Sequence, residues 1–102
     1  MNNKVLTLLG FAAKAVKLSY GMNAVKYAIV SGKARLVLTA FDVSPKSRKE
    51  IAYFCEKENV KHITLESIDM GTVSAAVGRK CGIISVNDSG FADSIGGNAN
   101  DQ

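Results

Sequence analysis

The segment GKARLVLTAFDVSP, residues 32–45, decides the fold, because it places a buried strand between the end of one helix and the start of another. Gly32 supplies the left-handed position at which helices commonly end. The nearly continuous apolar run at 36–41 is typical of a strand buried on both faces, as in a mainly parallel sheet. Ser44 and Pro45 then favour a helix start, because a serine oxygen caps free N–H groups and proline needs no N–H there.

The same alternation of helices and short apolar strands continues on both sides of this segment. It predicts an α/β protein, a three-layer α/β/α sandwich with a small mixed sheet. In chain order the predicted elements are a helix at 3–16, an extended connector at 17–20, a helix from 21 to the glycine at 32, the strand at 36–41, a helix from 45 to about 58, a strand at 62–65, a helix capped at Ser67, a strand at 83–86 and one helical turn at 91–95.

Length and composition indicate one domain. The chain has 102 residues, of which 47% are hydrophobic and 22% charged, which suits a single core and excludes disordered and collagen-like classes. We assign the α/β/α domain to residues 1–95. Residues 96–102 contain no packing residue beyond Ala99, so we expect a flexible C-terminal tail there.

The N-terminal apolar run at residues 5–13 has two interpretations, a weak secretory signal or the buried stripe of a helix. Its apolar positions recur at helical spacing, and no run in the chain approaches the ~20 residues that span a membrane. We therefore expect a core helix and no membrane partner. Two cysteines that fit no disulfide or zinc pattern favour a cytoplasmic location.

Recognisable catalytic motifs are absent from the sequence, which lacks phosphate-binding, metalloprotease and nucleophile-elbow patterns. The single histidine, His62, lies at a strand edge without metal-ligand spacing, which favours a structural or surface role. Cys81, whose pKa two preceding basic residues could lower, and the strand-end acids Asp42 and Asp69 leave an enzyme as an alternative. A helix cap explains Asp69 as well as catalysis does. We predict a non-enzymatic protein with no cofactor and no metal.

The net charge of +4 is unevenly distributed along the chain. Residues 1–41 carry six basic and no acidic residues, whereas residues 42–102 carry seven basic and nine acidic residues, so the two parts have charges of +6 and −2. A basic N-terminal part favours an acidic partner such as nucleic acid.

The second predicted helix carries the candidate binding surface. Asn23, Lys26 and Lys33 follow one another at i, i+3 and i+10, and Tyr27 shares their side of the helix. A helix that starts at Gly21 offers its first N–H groups and its positive dipole end to a phosphate. Asn and Lys bind base edges and Tyr stacks on unpaired bases, so this set predicts RNA contact. An ordinary solvated helix surface is the alternative.

A flexible basic loop, Gly78-Arg79-Lys80, is the second candidate contact. It precedes the last predicted strand, and loops at one end of the sheet of an α/β/α sandwich can converge.

These residues together resemble the signature of the kink-turn RNA-binding ribosomal-protein family over roughly residues 3–95. Its named members include archaeal large-subunit protein seven-Ae and eukaryotic large-subunit protein thirty, and in length the chain is most similar to the small bacterial YlxQ-type members. The similarity lies in Gly21-x-Asn23-x4-Ala28-x3-Gly32-x-Ala34-Arg35-Leu36-Val37, in Met70-Gly71-Thr72, in the basic loop and in residues 83–86.

The resemblance implies an α/β/α sandwich that binds structured RNA. In that family the start of the second helix enters the groove beside tandem sheared G·A pairs of a bent RNA, and the loop before the last strand contacts bulged nucleotides. Gly21 and Asn23 match the family pattern, and the loop position falls within residues 75–80. Ala24 stands where the family usually has an acidic or amide residue, and Tyr27 where it usually has lysine.

We therefore expect a monomer that binds structured RNA, ribosomal or kink-turn-like, and stabilises its fold, with the ribosome as a further partner. A protein-interaction module of the same fold that no longer binds RNA is the alternative suggested by the two departures from the family pattern. The predicted RNA-binding residues are Gly21, Asn23, Ala24, Lys26, Tyr27, Lys33, Gly78, Arg79 and Lys80.

Overall fold

The computed structural model describes residues 3–99, which form five helices and a four-stranded sheet. In chain order the elements are α1 (Lys4–Lys14), β1 (Leu18–Tyr20), α2 (Met22–Val30), β2 (Leu36–Ala40), α3 (Pro45–Lys57), β3 (Lys61–Leu65), α4 (Met70–Val77), β4 (Ile83–Val86) and α5 (Ser89–Ala99). No helix within residues 3–99 has the length and apolar character needed to cross a membrane.

The sheet is mixed, with strand order β1-β4-β2-β3. β2 and β3 are parallel, whereas β4 is antiparallel to both of its neighbours, β1 and β2. The predicted small mixed sheet is thus confirmed. Only one of its three strand pairs, β2 with β3, is parallel, so the sheet is not mainly parallel. β2 is buried along its whole length, as its apolar run predicts.

Helices cover the sheet in two groups, so the predicted three-layer α/β/α sandwich is confirmed. α2 packs on α3, and α1 packs on both α4 and α5. The predicted N-terminal core helix is α1, which buries Val5, Leu9 and Ala12. Fully buried apolar side chains from every layer fill the core, among them Leu9, Ile29, Leu38, Ile51, Leu65, Ile84 and Ile95.

The predicted connector at 17–20 is a strand. Residues 18–20 form β1, in which Leu18 lies opposite Val86 and Tyr20 opposite Ile84. Three residues are too few to show the alternating pattern that identifies a strand, so only the pairing with β4 reveals it.

Helix α4 begins later than predicted. Its cap is Asp69, whose carboxylate accepts a hydrogen bond of 2.7 Å from the backbone N–H of Thr72, rather than Ser67. Asp69 and Ser67 are both favoured cap residues, so local preference did not distinguish them.

The expected tail from residue 96 is wrong for residues 96–99, since α5 runs to Ala99 and buries Ile95, Gly96 and Ala99. Two adjacent glycines disfavour a helix, but Gly96 is buried on the sheet, where a Cβ would lie 3.9 Å from Leu36 Cδ2 of β2 and from Lys61 Nζ of β3. The rest of the predicted tail, residues 100–102, lies outside the described residues, as do residues 1 and 2 of the assigned domain.

Candidate nucleic-acid interface

Two segments that are distant in sequence meet at one end of the sheet, namely the start of α2 and the loop before β4. β1 and β4 are antiparallel, so Tyr20, the last residue of β1, pairs with Ile84 near the start of β4. The backbone N–H of Gly21 donates to the carbonyl of Ile83 over 2.9 Å. The predicted helix start and the predicted loop are therefore neighbours.

The start of α2 presents free polar groups. Gly21 is the residue before the helix and has φ +85°, a conformation that side-chain-bearing residues rarely adopt. Asn23 and Ala24 in the first turn are exposed. Within residues 3–99 the Asn23 amide has no hydrogen-bond partner, so it is available to a ligand.

The basic loop at residues 78–80 is held at both ends, in contrast to the flexible loop that the sequence indicates. Gly78 ends α4 in the left-handed conformation, with φ +77°, and donates its N–H to the carbonyl of Ser74. The Ser74 hydroxyl accepts from the N–H of Cys81 and donates to its carbonyl, both over 3.0 Å. Arg79 and Lys80 are therefore exposed on a loop with fixed ends.

An open cleft lies between these two segments. The guanidinium carbon of Arg79 lies 4.8 Å from the centroid of the Tyr20 ring, within the range of a cation–π contact. Tyr20, Arg79, Ala24 and Lys80 line the cleft, which has a volume of about 400 Å³. The cleft unites Ala24, Arg79 and Lys80 from the predicted set.

Tyr20 belongs to the candidate site although the sequence does not indicate it, because the pattern at residues 17–20 predicts a connector. Its position directly before the signature glycine was the available signal. Burial raises the pKa of the Tyr20 hydroxyl above its ordinary value near 10, while the nearby Arg79 charge opposes that rise. The hydroxyl therefore stays protonated at neutral pH and can donate a hydrogen bond.

Lys26 faces α3 rather than standing free beside Asn23. Its Nζ lies 2.6 Å from Oε2 of Glu50 and 4.9 Å from the centroid of the Phe54 ring. Glu50 lies 24 positions further along the chain, so helical spacing alone does not reveal the pair.

Lys33 does not continue the predicted helical stripe, because α2 ends at Val30. The chain turns at Gly32, where φ is +81°, and the Lys33 Nζ lies 5.7 Å from the centroid of the Tyr27 ring. Tyr27 is 67% exposed. Tyr27 and Lys33 thus form a separate surface pair that does not line the cleft.

The cleft carries positive charge without compensation. In the described part of the chain the ion pair of Lys26 with Glu50 is the only one, and no acidic residue lines the cleft. Arg79 and Lys80 therefore keep their full charge for a ligand. Among residues 3–99 no three acidic, histidine or cysteine side chains cluster in a way that could hold a metal ion.

Cys81 lacks the lowered pKa that its basic neighbours in the sequence suggest. Burial raises the pKa of the Cys81 thiol, although the Arg79 charge opposes that rise. The pKa of Cys55 is raised to about 11 by burial alone. Both thiols are therefore protonated at neutral pH and are weak nucleophiles.

Residues 3–95 match the model of the ribosomal protein L7Ae/L30e/S12e/Gadd45 family. The chain belongs to this family. Its membership confirms the resemblance that the sequence signature carries. Over 87 residues the chain is 30% identical to the large ribosomal subunit protein eL30 of Neurospora crassa, covering 83% of this chain and 79% of the relative. It is also 30% identical to eL30B of Schizosaccharomyces pombe, covering 83% and 74% of the two chains.

Solved structures show the same fold. A Bacillus halodurans protein of unknown function superposes with a TM-score of 0.91 and 25% identity, covering 97% of this chain and 99% of its own. The Giardia lamblia 15.5kD RNA binding protein superposes with a TM-score of 0.78 and 20% identity, covering 99% and 92%. The L7Ae/L30e-type architecture therefore extends over nearly the whole chain.

Proposed function

We propose that this protein binds structured RNA through the surface formed by Gly21, Asn23, Tyr20, Arg79 and Lys80, which we term the RNA face. One observation carries the proposal: the pairing of β1 with β4 places an aromatic–guanidinium contact and a lysine without an acidic partner at one cleft. The exposed first turn of α2, which bears the free Asn23 amide, lies beside that cleft and contributes Ala24 to its lining. The curated relatives are named as large ribosomal subunit proteins, which supports ribosomal RNA as the ligand.

Each part of the RNA face has a separate role. Lys80 and the free N–H groups at the start of α2 bind phosphates, and the Asn23 amide binds base edges. The Tyr20 ring and the Arg79 guanidinium offer flat surfaces for unpaired bases. Because the protein binds the bent RNA in preference to other conformations, it stabilises that fold by mass action and without covalent chemistry.

The RNA that suits this surface is kink-turn-like, bound by a monomer in the cytoplasm. Ala24 lines the cleft but has no side-chain hydrogen-bonding group where the family usually has one. A missing bidentate base contact removes about 1–3 kcal/mol of discrimination. We therefore infer that the protein prefers bent RNA over duplex but distinguishes weakly among base pairs next to Ala24.

The test compares binding of a kink-turn RNA with binding of a duplex of equal length, at low salt, by wild type and two charge-reversal variants. We expect wild type to prefer the kink-turn RNA and Lys80→Glu to weaken that binding about tenfold or more, because it places a carboxylate against phosphate. Lys61→Glu is the matched control, since Lys61 is exposed on β3, at the other edge of the sheet from β1. Negligible binding of both RNAs by wild type would refute the proposal.

A protein-interaction module of the same fold is the second candidate, favoured by the exposed apolar surface of α2. Tyr27 and Val30 are 67% and 59% exposed outside the cleft. This candidate requires that Lys80→Glu leave binding to cellular partners unchanged and that wild type show no RNA preference. The RNA comparison therefore separates the two functions.

A further inference from the structure

A second groove lies between α1 and α4 and has a volume of about 730 Å³. Phe11 and Val16 line it although they are 57% and 85% exposed, so both offer apolar surface to solvent. Tyr20 and Arg79 line this groove as well as the cleft of the RNA face. The groove is therefore continuous with the RNA face.

The backbone at Val16 is unusual when it is compared with equivalent positions in the same chain. Helices α1, α2 and α3 each end with a left-handed residue whose N–H, together with the next N–H, donates back to carbonyls of the last turn. The left-handed residue is Gly32 after α2 and Asn59 after α3, both residue types that tolerate this conformation. After α1 it is Val16, a β-branched residue at φ +58°.

The valine side chain gains little from its own packing. A left-handed conformation disfavours residues with a Cβ, and β-branched ones most. At 85% exposure the side chain recovers almost none of that strain by burial. Two backbone hydrogen bonds at the end of α1 hold this strained conformation, and it leaves the valine side chain exposed at the groove, where a bound ligand would cover it.

The charges around the groove indicate the chemistry of that ligand. The charged residues that line it are Lys14 and Arg79, both cations, and no carboxylate lines it. Exposed apolar surface between cations suits a nucleotide, because the base packs on the apolar side chains and the phosphate lies near a cation. The shared lining with the RNA face favours a nucleotide of the same RNA over a separate protein.

We propose that the groove between α1 and α4 holds an unpaired nucleotide of the bound RNA, with its base against Phe11 and Val16 and a phosphate at Lys14. This inference rests on the proposed RNA-binding function. It adds to the RNA face a subsite that binds an unpaired nucleotide outside the bent part of the RNA.

The test uses two RNAs, a kink-turn RNA and the same RNA with two uridines added to its bulge. We expect wild type to bind the extended RNA about tenfold more tightly, the effect of roughly one stacked base. Phe11→Ser and Val16→Gly abolish this gain and leave the affinity for the shorter RNA unchanged. Val16→Gly also raises Tm, because glycine relieves the left-handed strain, so its weaker binding does not come from unfolding.

Tyr53→Ser is the matched control, because Tyr53 is an aromatic residue that is also 57% exposed but lies on α3, in the other helix layer. It is expected to keep the full gain. Equal binding of the two RNAs by wild type overturns the inference but not the proposed function. The same holds if the two groove variants keep the gain, or lose affinity for both RNAs equally. Failure of wild type to bind either RNA overturns the proposed function itself.

Discussion

Thr39 in β2 and His62 in β3 show how this sheet accommodates polar side chains in its interior. Thr39 is fully buried, and its Oγ1 lies 2.7 Å from Nε2 of His62 on the neighbouring strand. Burial lowers the pKa of the half-buried imidazole, and the charge of Arg48 lowers it further. The ring is therefore neutral at physiological pH and serves to satisfy the buried hydroxyl, which supports a structural role for His62.

We expect the free energy of unfolding to decrease as the pH falls from about 7.5 to about 5.5. The unfolded chain binds a proton at His62 near the ordinary pKa of about 6.5, whereas the folded protein binds it only at lower pH. The contribution of His62 to stability is therefore fully present above its pKa in the unfolded chain. It is lost as the pH falls towards the lower pKa of the folded protein, because proton uptake stabilises the unfolded state. Urea titrations at both pH values measure the change.

His62→Gln provides the comparison for this prediction, since glutamine keeps a group that can hydrogen-bond Thr39 but does not titrate. The variant is expected to lose clearly less stability than wild type between the two pH values. An identical loss in both proteins would assign the pH dependence to other groups.

At the scale of elements, a start with one favoured cap residue was predictable, whereas the start of α4, with two, and elements that depend on distant partners were not. Ser44 caps α3 as predicted, by accepting a hydrogen bond from the N–H of Ser47. β1, by contrast, exists through its pairing with β4, and the last turn of α5 through its packing on the sheet. Neither the short apolar pattern of residues 18–20 nor the helix propensity of residues 96–99 indicates those contacts.

Helix α5 allows a direct test of the correction to the C-terminal tail. Ile95 is fully buried, so Ile95→Ala is expected to lower the free energy of unfolding by about 2–5 kcal/mol. Gly97 is exposed, with nothing within 4 Å of an added Cβ, so Gly97→Ala is expected to raise it by about 0.5–1 kcal/mol. Urea unfolding measures both changes. If residues 96–99 were a tail in solution, Gly97→Ala would leave the stability unchanged.

At the scale of the whole molecule, charge distribution and sheet topology act together on the proposed site. The sequence indicated the helix start and the basic loop separately, but only the antiparallel pairing of β1 with β4 joins them. In the folded protein Lys26 forms an ion pair with Glu50, which belongs to the more acidic part of the chain, so the charge of Lys26 is not free. The charge available to RNA is therefore smaller than the count along the sequence implies.

The salt dependence of RNA binding measures that available charge. Each cation that neutralises a phosphate contributes about 0.7–0.9 to the slope of log K against log salt concentration, because bound counterions are released. Lys80→Met is therefore expected to reduce the slope for kink-turn RNA by about that amount. Removal of the Lys26–Glu50 pair by Lys26→Met with Glu50→Gln is expected to leave the slope unchanged, because the two charges already neutralise each other. A slope that falls equally for both proteins would show that Lys26 leaves Glu50 and contacts phosphate in the complex.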